Sequence, residues 1–122
     1  MAAIQASSGN FDDSLKLFAE AEKFVSNEIN FSVDYAKAVG KAGAALGDDA
    51  LLKDAFDRFE RVYQRAPQNT LNLQNWAVNF FSIGKYSEAW AKVKLAEATP
   101  NKGDLDPRFV AALQSRMPRP QN

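Results

Sequence analysis

The 122-residue chain contains no cysteine and no histidine. Without cysteine there is no disulfide, no thiol nucleophile and no thiolate metal site. Without histidine the commonest metal ligand and the usual general base near neutral pH are both missing. Neither absence fixes a compartment, since cytosol and periplasm both tolerate cysteine-free chains. No segment approaches the ~20 apolar residues that span a bilayer. The first nine residues carry neither a basic leader nor a long apolar run. A surplus of charge is absent too: 15 Lys+Arg balance 15 Asp+Glu, which removes any overall attraction to nucleic acid or to an anionic membrane. The remaining composition, 46% hydrophobic and 25% charged, is ordinary for one folded domain with one core. The expectation is a soluble chain, or a mature piece whose leader has been removed.

What is present is internal repetition. Asp54-Ala55-Phe56-Asp57-Arg58-Phe59-Glu60-Arg61-Val62 aligns with Glu88-Ala89-Trp90-Ala91-Lys92-Val93-Lys94-Leu95-Ala96 at an offset of 34 residues. Acid, alanine, aromatic, core hydrophobe and a further small apolar residue recur in order. Proline closes both segments, at Pro67 and Pro100, where the offset slips to 33. An earlier copy, Gly9-Asn10-Phe11 through Ala21, aligns with Gly84-Lys85-Tyr86 onward at an offset of 75. Seven extra residues therefore separate the first and second copies, and the reading places them around Asn27–Tyr35.

A 34-residue period with this residue order resembles the tetratricopeptide repeat, a helix–turn–helix unit. The third copy carries Leu73, Trp76, Ala77 and Phe80, then Gly84, Tyr86, Ala89, Val93, Ala96 and Pro100. The second carries Val39, Ala42, Gly43 and Leu46, then Ala55, Phe59, Val62 and Pro67. The first keeps only its second-helix signature, with Ser14 where alanine is usual and Ser26 where the closing proline would fall. Trp76 stands where the family usually has leucine. The resemblance covers roughly residues 9–100 and implies an all-α fold: a right-handed α-solenoid of about three helical hairpins with a C-terminal capping helix.

The residues support that pattern on physical grounds. Alanine and glycine at Ala42, Gly43, Ala55, Ala77 and Ala89 let paired helix backbones approach, while Phe59, Trp76, Phe80 and Tyr86 fill the space between them. Asp54–Arg58, Asp57–Arg61 and Glu88–Lys92 are i,i+4 pairs in the favourable acid-first order. Gly47-Asp48-Asp49 and Ile83-Gly84-Lys85 supply turns within units, and Pro67 and Pro100 end second helices. Helices are predicted over 2–8, 11–28, 33–46, 50–65, 70–82, 86–98 and 106–117. One domain over 1–117 then comprises units of about 1–30, 33–67 and 70–100 with a capping helix at 106–117. That last helix opens on the cap Asp106 and Pro107, and its stripe of Phe109, Val110, Leu113 and Met117 suits covering the end of a repeat stack. Residues 118–122 read as a frayed tail. By register the first unit's first helix would begin before Met1, which suggests a piece of a longer chain or a unit completed by something else.

A search for chemistry finds little. Gly40-Lys41 and Gly84-Lys85 lack the earlier glycine and the following serine or threonine of a phosphate loop, because the required places hold Tyr35 and Ala42, and Asn79 and Tyr86. Asp12-Asp13, Asp48-Asp49 and Asp104/Asp106 read as helix starts and turns, where acids suit the helix dipole, rather than as catalytic carboxylate pairs. Basic residues alternate with acids and form no nucleic-acid stripe. The expectation is a non-enzyme with no catalytic residue, no metal and no cofactor, which binds no nucleic acid and inserts in no membrane.

The resemblance implies a protein or peptide partner held on a concave face lined by the first helix of each unit. The residues it places there are Lys37, Gly40, Lys41 and Ala44 in the second unit, and Leu71, Gln74, Asn75, Val78 and Phe81 in the third. Some family members clamp a peptide's terminal carboxylate with lysine and asparagine side chains. Lys37, Lys41 and Asn75 are similar in type, but their order across the units differs, so the lysines read as solvated groups. The face is cationic, then amide, then apolar, which suits an acidic and hydrophobic peptide or helix. A second expectation comes from charge: residues 1–30 hold five acids and two bases, and residues 85–122 hold four acids and seven bases. An acidic start and a basic end favour head-to-tail self-association, or assembly with the rest of a longer parent chain.

Overall fold

The structure is a computed structural model that describes residues 2–25 and 27–120, with side chains from Phe11 onward. Six α-helices and one short 3-10 turn, with no strand, occur among the described residues: α1 (Ala2–Val25), α2 (Ile29–Leu46), α3 (Asp49–Arg65), α4 (Thr70–Ser82), α5 (Tyr86–Glu97) and α6 (Pro107–Arg116). The chain forms two compact units that divide within α3, one up to Arg58 and one from Phe59 onward.

Local chemistry sets most of the boundaries. Gly47, at φ 63°, takes the left-handed conformation that ends α2, and its N–H returns to the Gly43 carbonyl. The Asp48 carboxylate then accepts from the N–H groups of Ala50 and Leu51, which α3 would otherwise leave unpaired. Asn69 does the same for α4 by accepting from the Asn72 N–H. Asp106 caps α6, with Pro107 in the first helical position, as the sequence predicts.

In the first unit α1 packs on α2 through Phe18, which lies 5.1 Å from the Tyr35 ring and 5.7 Å from Phe31. Arg58 gathers three helices: its guanidinium stacks 3.8 Å from the Tyr35 ring centre and reaches Glu22 of α1 and Asp54 of its own helix. The α2–α3 hairpin is tight at Gly43, where an added Cβ would meet the Leu52 nitrogen at 2.9 Å.

In the second unit α4 and α5 form a hairpin, and α6 covers α5. Phe59 and Trp76 stack at 5.9 Å, and the buried Asn72 amide donates to the Phe59 carbonyl. Thr70 at the head of α4 and Thr99 beyond α5 are buried and share a hydroxyl–hydroxyl hydrogen bond. Leu113 of α6 is fully buried in a cluster with Ala77, Ala89, Trp90 and Val93.

Four expectations differ from this arrangement. The two helices over 2–8 and 11–28 are one helix, α1, because no proline interrupts residues 2–25 and an interior glycine costs only about 1 kcal/mol. The helix expected over 33–46 starts earlier: α2 begins at Ile29, and the added turn brings Phe31 and Tyr35, one turn apart, onto Phe18. Lys92 lies over the Trp76 ring at 3.7 Å, and Glu88 pairs with Lys85 at 4.0 Å instead. Finally, the tail does not fray at Arg119, whose guanidinium is held by Glu97. Ser26, Gln121 and Asn122 lie outside the described residues.

Candidate functional site

On α2 the sequence places Asp34, Lys37, Ala38 and Lys41 on one stripe, at i, i+3, i+4 and i+7. The opposing stripe on α1 is Phe11, Ser14 and Leu15. Together they line a hollow of about 370 Å³ within the first unit. Both lysines and Asp34 are exposed, whereas Phe11, Leu15 and Ala38 are half-buried. The result is an apolar floor with two cations and one acid at the rim. Ala44 is half-buried one turn further on, and Gly40 is buried against the helices rather than facing the hollow. A ligand fitting here brings an apolar group to the floor and a carboxylate to the lysines.

The α4 residues stand differently. Leu71 and Val78, seven residues apart on one stripe, remain 48% and 38% exposed. Asn75 is half-buried between them. Gln74, on the same stripe, is engaged within the unit: its Oε1 accepts from the backbone N–H of Asp106. Phe81 is engaged as well, edge-on to Phe109 of α6 at 5.7 Å and 5.6 Å from Tyr86. The physical reason lies in α6, whose apolar stripe must be covered by something, and Phe81 is part of what covers it. Of the five α4 residues, Leu71 and Val78 thus remain the open apolar contacts.

Lys92 carries a further cation that the sequence reading assigns to an ion pair. Burial lowers its pKa below the usual lysine value, and the Glu60 carboxylate opposes that shift. Its position over Trp76 follows from α4 and α5 folding back on each other, which brings residues sixteen apart together. Among the described residues no group of three or more Asp and Glu is placed to hold a metal ion, and no helix is long and apolar enough to cross a membrane.

No protein-family model, curated protein or solved structure matches the chain.

Proposed function

We propose that the chain is a non-catalytic protein-interaction module built of tetratricopeptide-like helical hairpins, and that it takes an acidic, partly apolar peptide or helix. The observation that carries this reading is the α1–α2 hollow, where Lys37 and Lys41 stand exposed one turn apart above Phe11 and Leu15. A carboxylate beside an aliphatic or aromatic group satisfies both parts of it at once. The repeat resemblance supports the reading, because the equivalent positions Ala55 and Ala89, Phe59 and Val93, and Val62 and Ala96 are all buried. Leu71 and Val78 are the apolar contacts that the second unit offers.

The test is selection of peptides from a random library on the intact chain, repeated on a Lys37→Glu/Lys41→Glu variant. Both lysines are exposed, so helicity by circular dichroism stays at the parent value. Recovered peptides are expected to pair acids with large apolar residues and to lose at least about tenfold in affinity on the variant, which corresponds to about 1.4 kcal/mol. Recovered peptides that bind both chains alike, or that lack acids, refute the assignment.

A second reading is favoured by α1, whose Leu17 is 68% and Phe24 87% exposed. These two residues are seven apart on one stripe, in a segment of net negative charge, and a second copy with its basic C-terminal region would cover them. Sedimentation at rising protein concentration and low salt distinguishes the readings: a monomer throughout removes self-assembly.

A further inference from the structure

The last residues of the described chain, Met117-Pro118-Arg119-Pro120, are stiff by composition. Each proline fixes its own φ and pushes the residue before it out of the helical region, so Met117 and Arg119 are both biased to extended backbone. Met117 is accordingly extended, at φ −152° and ψ 117°, where α6 ends. A segment of this kind has little conformational freedom to lose on docking and leaves its backbone groups free to be read.

The second unit reads them. The indole Nε1 of the buried Trp90 donates to the Met117 carbonyl at 2.9 Å. Gln114 Oε1 accepts from the Arg119 N–H at 3.1 Å. The Arg119 guanidinium lies 4.5 Å from the Trp90 ring centre and makes two parallel bonds to Glu97, at 2.8 and 2.7 Å. Trp90 and Glu97 stand seven residues apart on α5, on one face. Two of the contacts take generic backbone groups and the others take one arginine, so the arrangement selects for an extended backbone and an arginine rather than for a particular fold around them.

The occupant also fills less than the site provides. Open hollows of about 310 and 540 Å³ adjoin it, and both are lined by Trp90 and Arg119. The first continues along Ser87, Ala91 and Lys94 of α5, and the second along Leu105 and Val110. The hold is light as well: the side chains of Arg119 and Glu97 are 42% and 39% exposed, and ion pairs of that exposure contribute about 0–1 kcal/mol. A lightly held segment in a larger groove is displaceable by one that uses the adjoining space.

We propose that the Trp90–Glu97–Gln114 face is a binding site for an extended, proline-flanked arginine segment of another polypeptide, and that the chain's own residues 117–120 occupy it in cis. The site lies wholly in the second unit and does not depend on the lysine hollow of the first. The cis tail competes at the effective concentration of a tethered group, on the order of millimolar for a short connection. A partner therefore gains access when it also fills the adjoining hollows, or when the tail is drawn away.

The experiment uses the full chain, with Arg119→Ala to vacate the arginine seat. Arg119 lies beyond the last helix and is exposed, so the helices stay intact. The probe is a fluorescein-labelled peptide of the sequence Ser115–Asn122, followed by anisotropy. The variant is expected to bind it at least tenfold more tightly than the parent chain. Adding Glu97→Gln is expected to weaken that binding about two- to fivefold, the loss an ion pair of this exposure allows, as is replacing the peptide's arginine by lysine. The Trp90 indole N–H resonance reports whether the seat is occupied. Equal binding by parent and variant overturns the proposal. So does no binding by the variant once the indole resonance has moved to its vacated position, because the tail is then only a clasp for α6.

Discussion

Replacing Gly43 by alanine puts two measurable effects in opposition. Gly43 is buried inside α2, where alanine is favoured over glycine by about 1 kcal/mol on helix propensity alone. The new Cβ, however, would lie 2.9 Å from the Leu52 nitrogen, 3.0 Å from Leu52 Cγ and 3.2 Å from the Leu51 carbonyl carbon. Optimal contacts between such atoms fall at about 3.5–4.0 Å, so the start of α3 must retreat by roughly half an ångström. It is poorly able to do so. The Leu52 N–H is bonded to the Asp48 carbonyl, and the Asp48 side chain holds the N–H groups of Ala50 and Leu51. Two of the three blocking atoms are backbone, which no rotamer change moves.

Overpacking of this kind costs about 1–3 kcal/mol, and more when the backbone is pinned. Against the propensity gain, the net expectation is destabilisation by about 1–2 kcal/mol, read by urea melts at 222 nm and as a fall in Tm of about 3–10 °C. Gly103→Ala is the control. It lies in the 3-10 turn, an added Cβ there meets nothing within 4 Å, and its φ is not in the left-handed region. It is expected to be neutral or to stabilise by up to about 1 kcal/mol, through the unfolded chain. A Gly43→Ala protein as stable as the parent would refute the close approach of α2 and α3, and with it the reason for small residues at that crossing.

Phe59→Ala is expected to cost about 3–5 kcal/mol, because Phe59 is fully buried against Trp76; a loss under 1 kcal/mol in a denaturant melt would contradict that packing. Gln74→Ala removes the acceptor of the Asp106 N–H, so amide exchange at Asp106 should quicken and stability fall by about 1 kcal/mol, while unchanged exchange would deny Gln74 its anchoring role. The hydrogen bond from Arg119 holds the Glu97 carboxyl below its ordinary value of 4.5. A depressed folded-state pKa means that the latch is complete above about 4.5 and is lost as pH falls through the lower folded value. The Trp90 indole resonance should therefore titrate with a midpoint below 4.5 in the parent and not at all in Glu97→Gln, whereas a parent midpoint at or above 4.5 would contradict the pairing.

The parts of this molecule that were legible in its sequence are those written locally or in the 34-residue period. Gly47, Gly84, Asp106 and Pro107 act on their immediate neighbours, so the boundaries of α3 to α6 fall within a residue or two of expectation. The period predicts burial: Ala55, Phe59 and Val62 are as inaccessible as Ala89, Val93 and Ala96. Alignment by period fails at α1, where likeness to Gly84-Lys85-Tyr86 predicts a turn at Gly9-Asn10-Phe11. At Gly84 the chain takes φ 78° as α4 gives way to α5, whereas Gly9 sits inside one unbroken helix. A glycine, a polar residue and an aromatic thus mark a turn at one place and continue a helix at another, because a turn needs a helix on each side to pack against.

The surfaces were harder to read for a related reason. The repeat pattern assigns Gln74 and Phe81 to an open face, but α6 is not part of the repeat, and its contacts engage both residues. Arg119, Gln114 and Glu97 lie outside the repeat signature altogether, so no period announces that they meet at Trp90. Lys37 and Lys41 are the opposite case, since their spacing places them on one stripe without help from distant residues, and both stand exposed together above the α1–α2 hollow. A repeat specifies what each helix must bury; what it leaves uncovered depends on where non-repeating segments come to rest. The proposed Trp90–Glu97–Gln114 site follows from that second, aperiodic layer, and substitutions at Glu97 or Arg119 should change recognition there while leaving every repeat-signature position untouched.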